Sequence, residues 1–119
     1  MRNFKDLKIW HRSIELVDQI YDLVIDLPTD ERFGLNTQIK RSVVSIPSNI
    51  AEGCSRKTEK ELSRFLEIAI GSSFELETQL IITSRRHLLN EGKINSVLNE
   101  LNQIQKMLSS FYKNVRAKI

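Results

Sequence analysis

Apolar residues recur at alternating steps of three and four along most of the chain, the period of helices that bury one face. In the first segment, from about Asp6 to Leu27, one such row consists of Leu7, Trp10, Ile14, Val17, Tyr21 and Val24. A second row lies about 100° further round the same helix. It consists of Ile9, Leu16, Ile20, Leu23 and Leu27. This segment therefore predicts a first helix with two apolar stripes.

The second stripe predicts a contact outside the chain. A helix in a four-helix bundle usually buries one stripe, so a helix with two usually has a second partner, often another subunit. We therefore predict an oligomer interface formed by Ile9, Leu16, Ile20 and Leu23. The alternative is that this stripe packs under the loop at residues 33–35 of the same chain.

A proline lies inside the second predicted helix. Pro28 ends the first helix, and the second runs from just after Gly34 to about Gly53, with an inner row of Ile39, Val43, Ile46 and Ile50. A helix-interior proline removes a donor and clashes with the preceding turn, at about 3 kcal/mol or more, so we predict a kink at Pro47. Asn49 and Glu52 are interpreted as buried hydrogen-bonding groups at the kink; the alternative interpretation is catalytic.

Two further helices follow. Thr58 and Glu61 form a capping box before the third, and Asn90 suits the start of the fourth. The third has a seam of Leu62, Phe65, Ala69, Ser73, Leu76, Leu80 and Thr83, and the fourth a row of Ile94, Val97, Leu101, Ile104, Leu108, Phe111 and Val115. Small residues at Ala69, Gly71, Ser72 and Ser73 favour close helix packing over the alternative of a ligand site.

These elements predict an all-α protein: one domain of residues 1–119, folded as an antiparallel up-down-up-down four-helix bundle whose second helix is kinked at Pro47. The composition agrees, with 40% hydrophobic residues, 28% charged residues, four glycines and two prolines in 119 residues. The lone Cys54 and the lack of an apparent signal or membrane-spanning segment make the cytoplasm the expected location, without membrane contact.

The charge is distributed unevenly in that topology. The start of helix 1, the end of helix 2, the start of helix 3 and the end of helix 4 meet at one end. Twelve basic and four acidic residues there leave a net +8, against +3 for the whole chain. The basic residues are Arg2, Lys5, Lys8, Arg12, Arg56, Lys57, Lys60, Arg64, Lys106, Lys113, Arg116 and Lys118. The opposite end carries Asp18, Asp22, Asp26, Asp30 and Glu31.

A cationic end of this kind suits the phosphate backbone of RNA or DNA. We predict phosphate contacts by Lys5, Lys8, Arg12, Arg56, Lys57, Lys60 and Arg64. Aromatic residues are sparse near them, so base stacking is not indicated there. The alternatives are a merely solvated surface or one that meets an acidic protein partner.

Enzymatic chemistry is the least supported class. His11 and His87 lack Cys or carboxylate residues at the spacing of metal ligands, so neither a metal nor a cofactor is expected. Cys54 lies near Arg56 and Lys57, which would lower its pKa, yet a lone cysteine is more often a packing residue. No Ser-His-Asp order or phosphate-binding loop is present.

Several motifs together resemble the small four-helix-bundle proteins encoded by intervening sequences in bacterial 23S ribosomal RNA genes. They are FKDLKIW (4–10), Gly34-Leu35 with Gln38 and Arg41, SIPSNIAEG (45–53) and RFLEIAIGSSFELETQL (64–80). The resemblance, shared with accessory proteins of diversity-generating retroelements, implies a homopentameric ring with a surface suited to nucleic acid. It implies no enzymatic activity. A protein partner, such as a reverse transcriptase, is the alternative to RNA or DNA.

Overall fold

The chain folds into four long helices packed side by side, without a strand. The computed structural model describes all residues, 1–119, and its helices are Lys8–Val24 (α1), Leu35–Cys54 (α2), Glu59–Arg85 (α3) and Glu91–Arg116 (α4). Short 3-10 helices at Phe4–Asp6 and Thr29–Glu31 precede α1 and α2. Consecutive helices contact each other and α1 also contacts α4, in a bundle of 45 × 23 × 20 Å. The predicted all-α four-helix bundle is confirmed.

Side-chain caps fix the starts of α3 and α4 where the sequence predicts them. The Glu61 backbone N–H donates to Thr58 Oγ1 at 3.1 Å, and the Lys93 backbone N–H donates to Asn90 Oδ1 at 2.9 Å. Each cap satisfies one of the N–H groups that the first turn of a helix leaves without an intrahelical partner. The starts of both helices are therefore encoded locally.

The second apolar stripe of α1 faces the core of its own chain, and the first stripe is buried in part. The exposed fractions of Ile9, Leu16, Ile20 and Leu23 are 5%, 0%, 0% and 5%, and all four belong to the core of the chain. Ile14 and Tyr21 of the other stripe are 37% and 41% exposed. The predicted oligomer interface is therefore wrong for these four residues, because side chains enclosed by their own chain offer no area to a second subunit.

The surroundings of Pro47 match the sequence in part. α2 runs without a break through Pro47, which is buried. Asn49 Nδ2 donates to the Ser45 carbonyl at 2.8 Å and to Ser45 Oγ at 2.9 Å. Glu52, in contrast, is exposed and pairs with Arg56, so its predicted buried role is wrong. The kink itself stays a prediction.

The end of α2 lies unusually close to the start of α3. A Cβ atom added to Gly53 would lie 2.8 Å from Leu62 Cδ1 and 2.9 Å from Phe65 Cβ. The Phe65 Cβ is fixed by its own backbone, so a larger residue at position 53 would force the two helices apart. The glycine thus positions the first turns of α3, which carry two of the predicted phosphate-binding residues, Lys60 and Arg64.

Candidate nucleic-acid interface

The first residues of the chain connect α2, α3 and α4. The Arg2 backbone N–H donates to the Cys54 carbonyl at 2.9 Å, and its guanidinium donates two hydrogen bonds to the Glu59 carboxylate at 2.9 and 3.1 Å. The same guanidinium lies 5.7 Å from the centre of the Phe111 ring on α4. Residues 1–12, 52–64 and 106–119 therefore meet at one end, which we call the N-terminal end.

Five of the seven residues predicted to contact phosphates are free at this end. Lys5, Lys8, Lys57, Lys60 and Arg64 are exposed and belong to none of the four ion pairs of the structure. An exposed cation without a carboxylate partner can bind a phosphate without first breaking an ion pair. These five residues form our candidate interface.

The other two predicted residues are already engaged. Arg12 donates two hydrogen bonds to the Glu100 carboxylate, at 3.0 and 2.9 Å, and these bonds are the main reason that the pKa of Arg12 is raised. Arg56 pairs with Glu52 at 2.8 Å, and its guanidinium carbon lies 4.8 Å from the centre of the Phe65 ring. We therefore leave Arg12 and Arg56 out of the candidate interface.

The five free cations lie on two sides of the N-terminal end. Lys5 and Lys8 are at the start of α1, whereas Lys57, Lys60 and Arg64 are at the start of α3. The principal contacts join α1 to α2 and α4, and α3 to the same two helices, so α1 and α3 occupy diagonal positions in the bundle. The last turn of α4, with Lys113 and Arg116, adjoins both sides.

Sequence reasoning missed the long-range ion pairs that organise this end. Arg2 and Glu59 are 57 residues apart, and Arg12 and Glu100 are 88 residues apart. No residue spacing within one helix can predict ion pairs between partners so far apart in the sequence. The only signal in the sequence is that the predicted topology brings the start of helix 1 to the same end as the start of helix 3.

The Arg2–Glu59 pair should make stability depend on pH. The hydrogen bonds from Arg2 are the main reason that the pKa of Glu59 lies below its usual range; desolvation opposes this lowering, and the charge of Arg2 adds to it. Because the folded pKa is lowered, the stabilisation is complete above the unfolded pKa of about 4.3 and is lost as the pH falls through the folded value. We expect Glu59→Gln to lower the free energy of unfolding by about 0.5–1 kcal/mol at pH 7 and by less at pH 2.

Urea unfolding of both proteins at the two pH values measures this effect. Glu61→Gln is the matched control, because Glu61 is exposed in the same helical turn and belongs to no ion pair. A Glu59→Gln deficit of the same size at both pH values would show that charge pairing is not its cause.

Cys54 does not have the features of a reactive thiol. It is buried, and burial raises its pKa against the smaller opposing effects of Arg2 and the N-terminal amino group. The predicted lowering of its pKa by Arg56 and Lys57 is wrong. A raised pKa reduces the thiolate fraction, which is the nucleophilic form.

The small-residue stretch of α3 packs closely against α2 at one point. Ser72 Oγ lies 2.8 Å from Ser45 Oγ, and Ser72 and Ser73 are buried. Beside this contact lies a groove of about 580 Å³ with no apolar lining residue; it is lined by Gln38, Arg41, Ser42, Ser45, Ser72, Glu75 and Gln79. Close helix packing and a polar groove therefore coexist between α2 and α3.

None of the four helices is both long enough and apolar enough to cross a membrane. The fold and the cations define the class of this protein. It is a small bundle of four antiparallel helices with five exposed, unpaired cations at its N-terminal end.

The family model for 23S rRNA-intervening sequence proteins matches residues 5–110, and the chain belongs to that family. The bundle is also similar to a crystal structure from Bacteroides thetaiotaomicron VPI-5482, described as a protein with unknown function from the S23 ribosomal protein family. The two chains are 26% identical with a TM-score of 0.80, over 88% of this chain and 98% of that chain. No curated protein matches this chain. The family resemblance seen in the motifs is confirmed, whereas the similarity to retroelement accessory proteins stays a prediction.

Proposed function

We propose that this protein binds structured RNA or DNA through phosphate contacts at its N-terminal end, without catalysing a reaction. The observation that carries the proposal is the set of five exposed and unpaired cations at that end: Lys5, Lys8, Lys57, Lys60 and Arg64. Binding of such residues to a phosphate backbone releases condensed counterions and needs no base-specific contact.

The proposal includes a homo-oligomer, namely the homopentameric ring of subunits that the family resemblance implies. A parallel ring would place several N-terminal ends on one face and add their electrostatic fields. The apolar surface available for subunit contacts now includes α3, where large apolar side chains are 43–57% exposed; they are Ile68, Phe74, Ile81 and Ile82. These residues replace the buried stripe of α1 as candidates for the interface.

The salt dependence of binding tests the proposal directly. Fluorescence anisotropy of a labelled RNA hairpin would be measured from low to physiological salt, with heparin as an unrelated competitor. If five cations each contact one phosphate, the logarithm of the association constant should fall with the logarithm of salt concentration at a slope of about −3 to −5. Heparin should compete. A slope shallower than about −1, or no binding, would contradict the proposal.

A second candidate function is a scaffold for protein contacts, such as an accessory subunit of a reverse transcriptase. The exposed apolar side chains of α3 favour it, because several large apolar side chains exposed on one helix are typical of protein interfaces. The N-terminal end would then meet an acidic protein surface. In that case the RNA hairpin would bind weakly or not at all, and only the protein partner would bind to the surface of the bundle.

A further inference from the structure

A groove at the opposite end of the bundle combines cations with exposed aromatic rings. It has a volume of about 590 Å³ and lies where the end of α1 faces the start of α2. Its lining includes Tyr21, Arg32, Phe33, Lys40 and Arg41, and no carboxylate. We call these five residues the aromatic groove. The sequence gives no indication of it, because Tyr21 and Phe33 are twelve residues apart and belong to different elements.

The aromatic rings of this groove are open to solvent, and each has a cation beside it. Phe33 is 88% exposed, and the Arg32 guanidinium carbon lies 5.9 Å from the centre of its ring. Tyr21 is 41% exposed, and Lys40 Nζ lies 4.7 Å from the centre of its ring. Phe33 follows a short 3-10 helix and precedes Gly34, so the chain presents this ring to solvent instead of folding it into the core.

No carboxylate of this end lines the groove, and two of them have partners outside it. The sequence indicates an acidic end, but Asp26 lies 3.7 Å from Lys93 of α4, and Glu31 Oε2 accepts from the Leu35 backbone N–H at 3.5 Å. None of the acidic residues lines the groove, whereas Arg32, Lys40 and Arg41 do, and none of these three belongs to an ion pair. The local charge of the groove is therefore positive despite the acidic residues nearby.

Proteins that bind single-stranded nucleic acid typically combine exposed aromatic rings with cations. Unpaired bases stack on exposed rings, and arginine and lysine contact the adjacent phosphates. In a duplex the base faces are already stacked on each other and cannot reach the rings. We propose that the aromatic groove binds an unpaired segment of RNA or DNA, with bases stacked on Phe33 and Tyr21 and phosphates held by Arg32, Lys40 and Arg41.

This proposal goes beyond phosphate binding at the N-terminal end and does not depend on it. The two surfaces lie at opposite ends of a bundle 45 Å long, and they differ in chemistry. The N-terminal end would bind any phosphate backbone, whereas the aromatic groove would discriminate unpaired from paired strands. Since a single strand can also bind the N-terminal end through its phosphates, single-strand binding by the groove is measured in a Lys57→Glu, Lys60→Glu and Arg64→Glu background, and duplex binding is measured without those three changes. The failures of the two proposals are then separable.

Substitution of Phe33 tests the groove with little effect on the fold, because its side chain is 88% exposed. The probes are a labelled single-stranded oligonucleotide without self-complementarity and the same oligonucleotide annealed to its complement. We expect Phe33→Ala to weaken binding of the single strand roughly five- to 100-fold, by loss of one stacked base, and to change binding of the duplex less than about twofold. Phe33→Trp should retain single-strand binding.

Phe33→Leu is the matched control for an apolar contact, since leucine keeps apolar surface but has no aromatic face. It should behave like Phe33→Ala if bases stack on the ring. In the charge-reversed background, equal single-strand binding with and without Phe33→Ala or Phe33→Leu would overturn the proposal. So would a change of sedimentation mass in Phe33→Ala with unchanged single-strand binding, because Phe33 would then contact a second copy of the chain. Loss of duplex binding in an N-terminal-end variant, with single-strand binding retained, would confirm that the two surfaces are separate.

Discussion

Replacing Ile20 with glutamate is expected to unfold the protein. Ile20 is completely buried in the core between the helices. A carboxylate there would lose its hydration without gaining a partner, and the apolar contacts of the isoleucine would also be lost. We expect the free energy of unfolding to fall by at least about 4 kcal/mol, which is most of the stability of a typical small domain. Circular dichroism during urea unfolding measures the loss.

Ile25→Glu is the matched control, since it makes the same chemical change just after α1, at a side chain that is 76% exposed. Its effect should stay within about 0.5 kcal/mol. An Ile20→Glu protein that remained folded but sedimented at a lower mass than wild type would contradict the structure. Such a result would place Ile20 at a subunit interface, as the apolar pattern of the first helix suggests by itself.

Reversing three charges at the start of α3 is expected to abolish most binding of paired RNA. The variant is Lys57→Glu, Lys60→Glu and Arg64→Glu, at positions that are exposed and outside every ion pair. It removes three phosphate contacts and adds repulsion, so affinity for an RNA hairpin should fall roughly 100-fold or more near 0.1 M salt. The salt dependence should also become shallower, by about two to three units of slope.

The control for this variant has the same change in net charge at the opposite end of the bundle. It is Arg85→Glu, Arg86→Glu and Lys93→Glu, all at exposed positions outside the aromatic groove. Lys93→Glu also removes an exposed ion pair with Asp26. Screening at physiological salt limits the reach of a charge to about 8 Å, so hairpin binding by the control should change less than about threefold. Both variants must first sediment at the wild-type mass. Equal losses in the two variants would show that total charge, and not the N-terminal end, attracts RNA.

Local sequence signals predict the helices well because they act within one helix. The caps at Thr58 and Asn90 each satisfy the backbone N–H three residues further along, and Pro28 lies between two helices as expected. The inner rows of α2 and α4 are predicted correctly, since each of those helices has a single dominant apolar row. Ile39, Val43, Ile46 and Ile50 are all completely buried.

The candidate interface could be predicted only in part. The topology places all seven predicted cations at the N-terminal end, but it does not indicate which are paired. Arg12 is engaged by Glu100, a residue of a different helix, and Arg56 by Glu52 within its own turn. The second pair has a spacing of four and could have been recognised from the sequence, whereas the first could not.

The sequence by itself determines that this protein is a bundle of four helices, in what order they run and at which end its cations gather. These properties depend on periodicity, caps and short connections, which are local. Only the tertiary structure decides which stripe of α1 faces the core, which cations remain unpaired, and that Tyr21 and Phe33 line one groove. These properties depend on side chains that approach each other from different elements. The apolar period of one helix does not indicate which side chains of other elements will contact it.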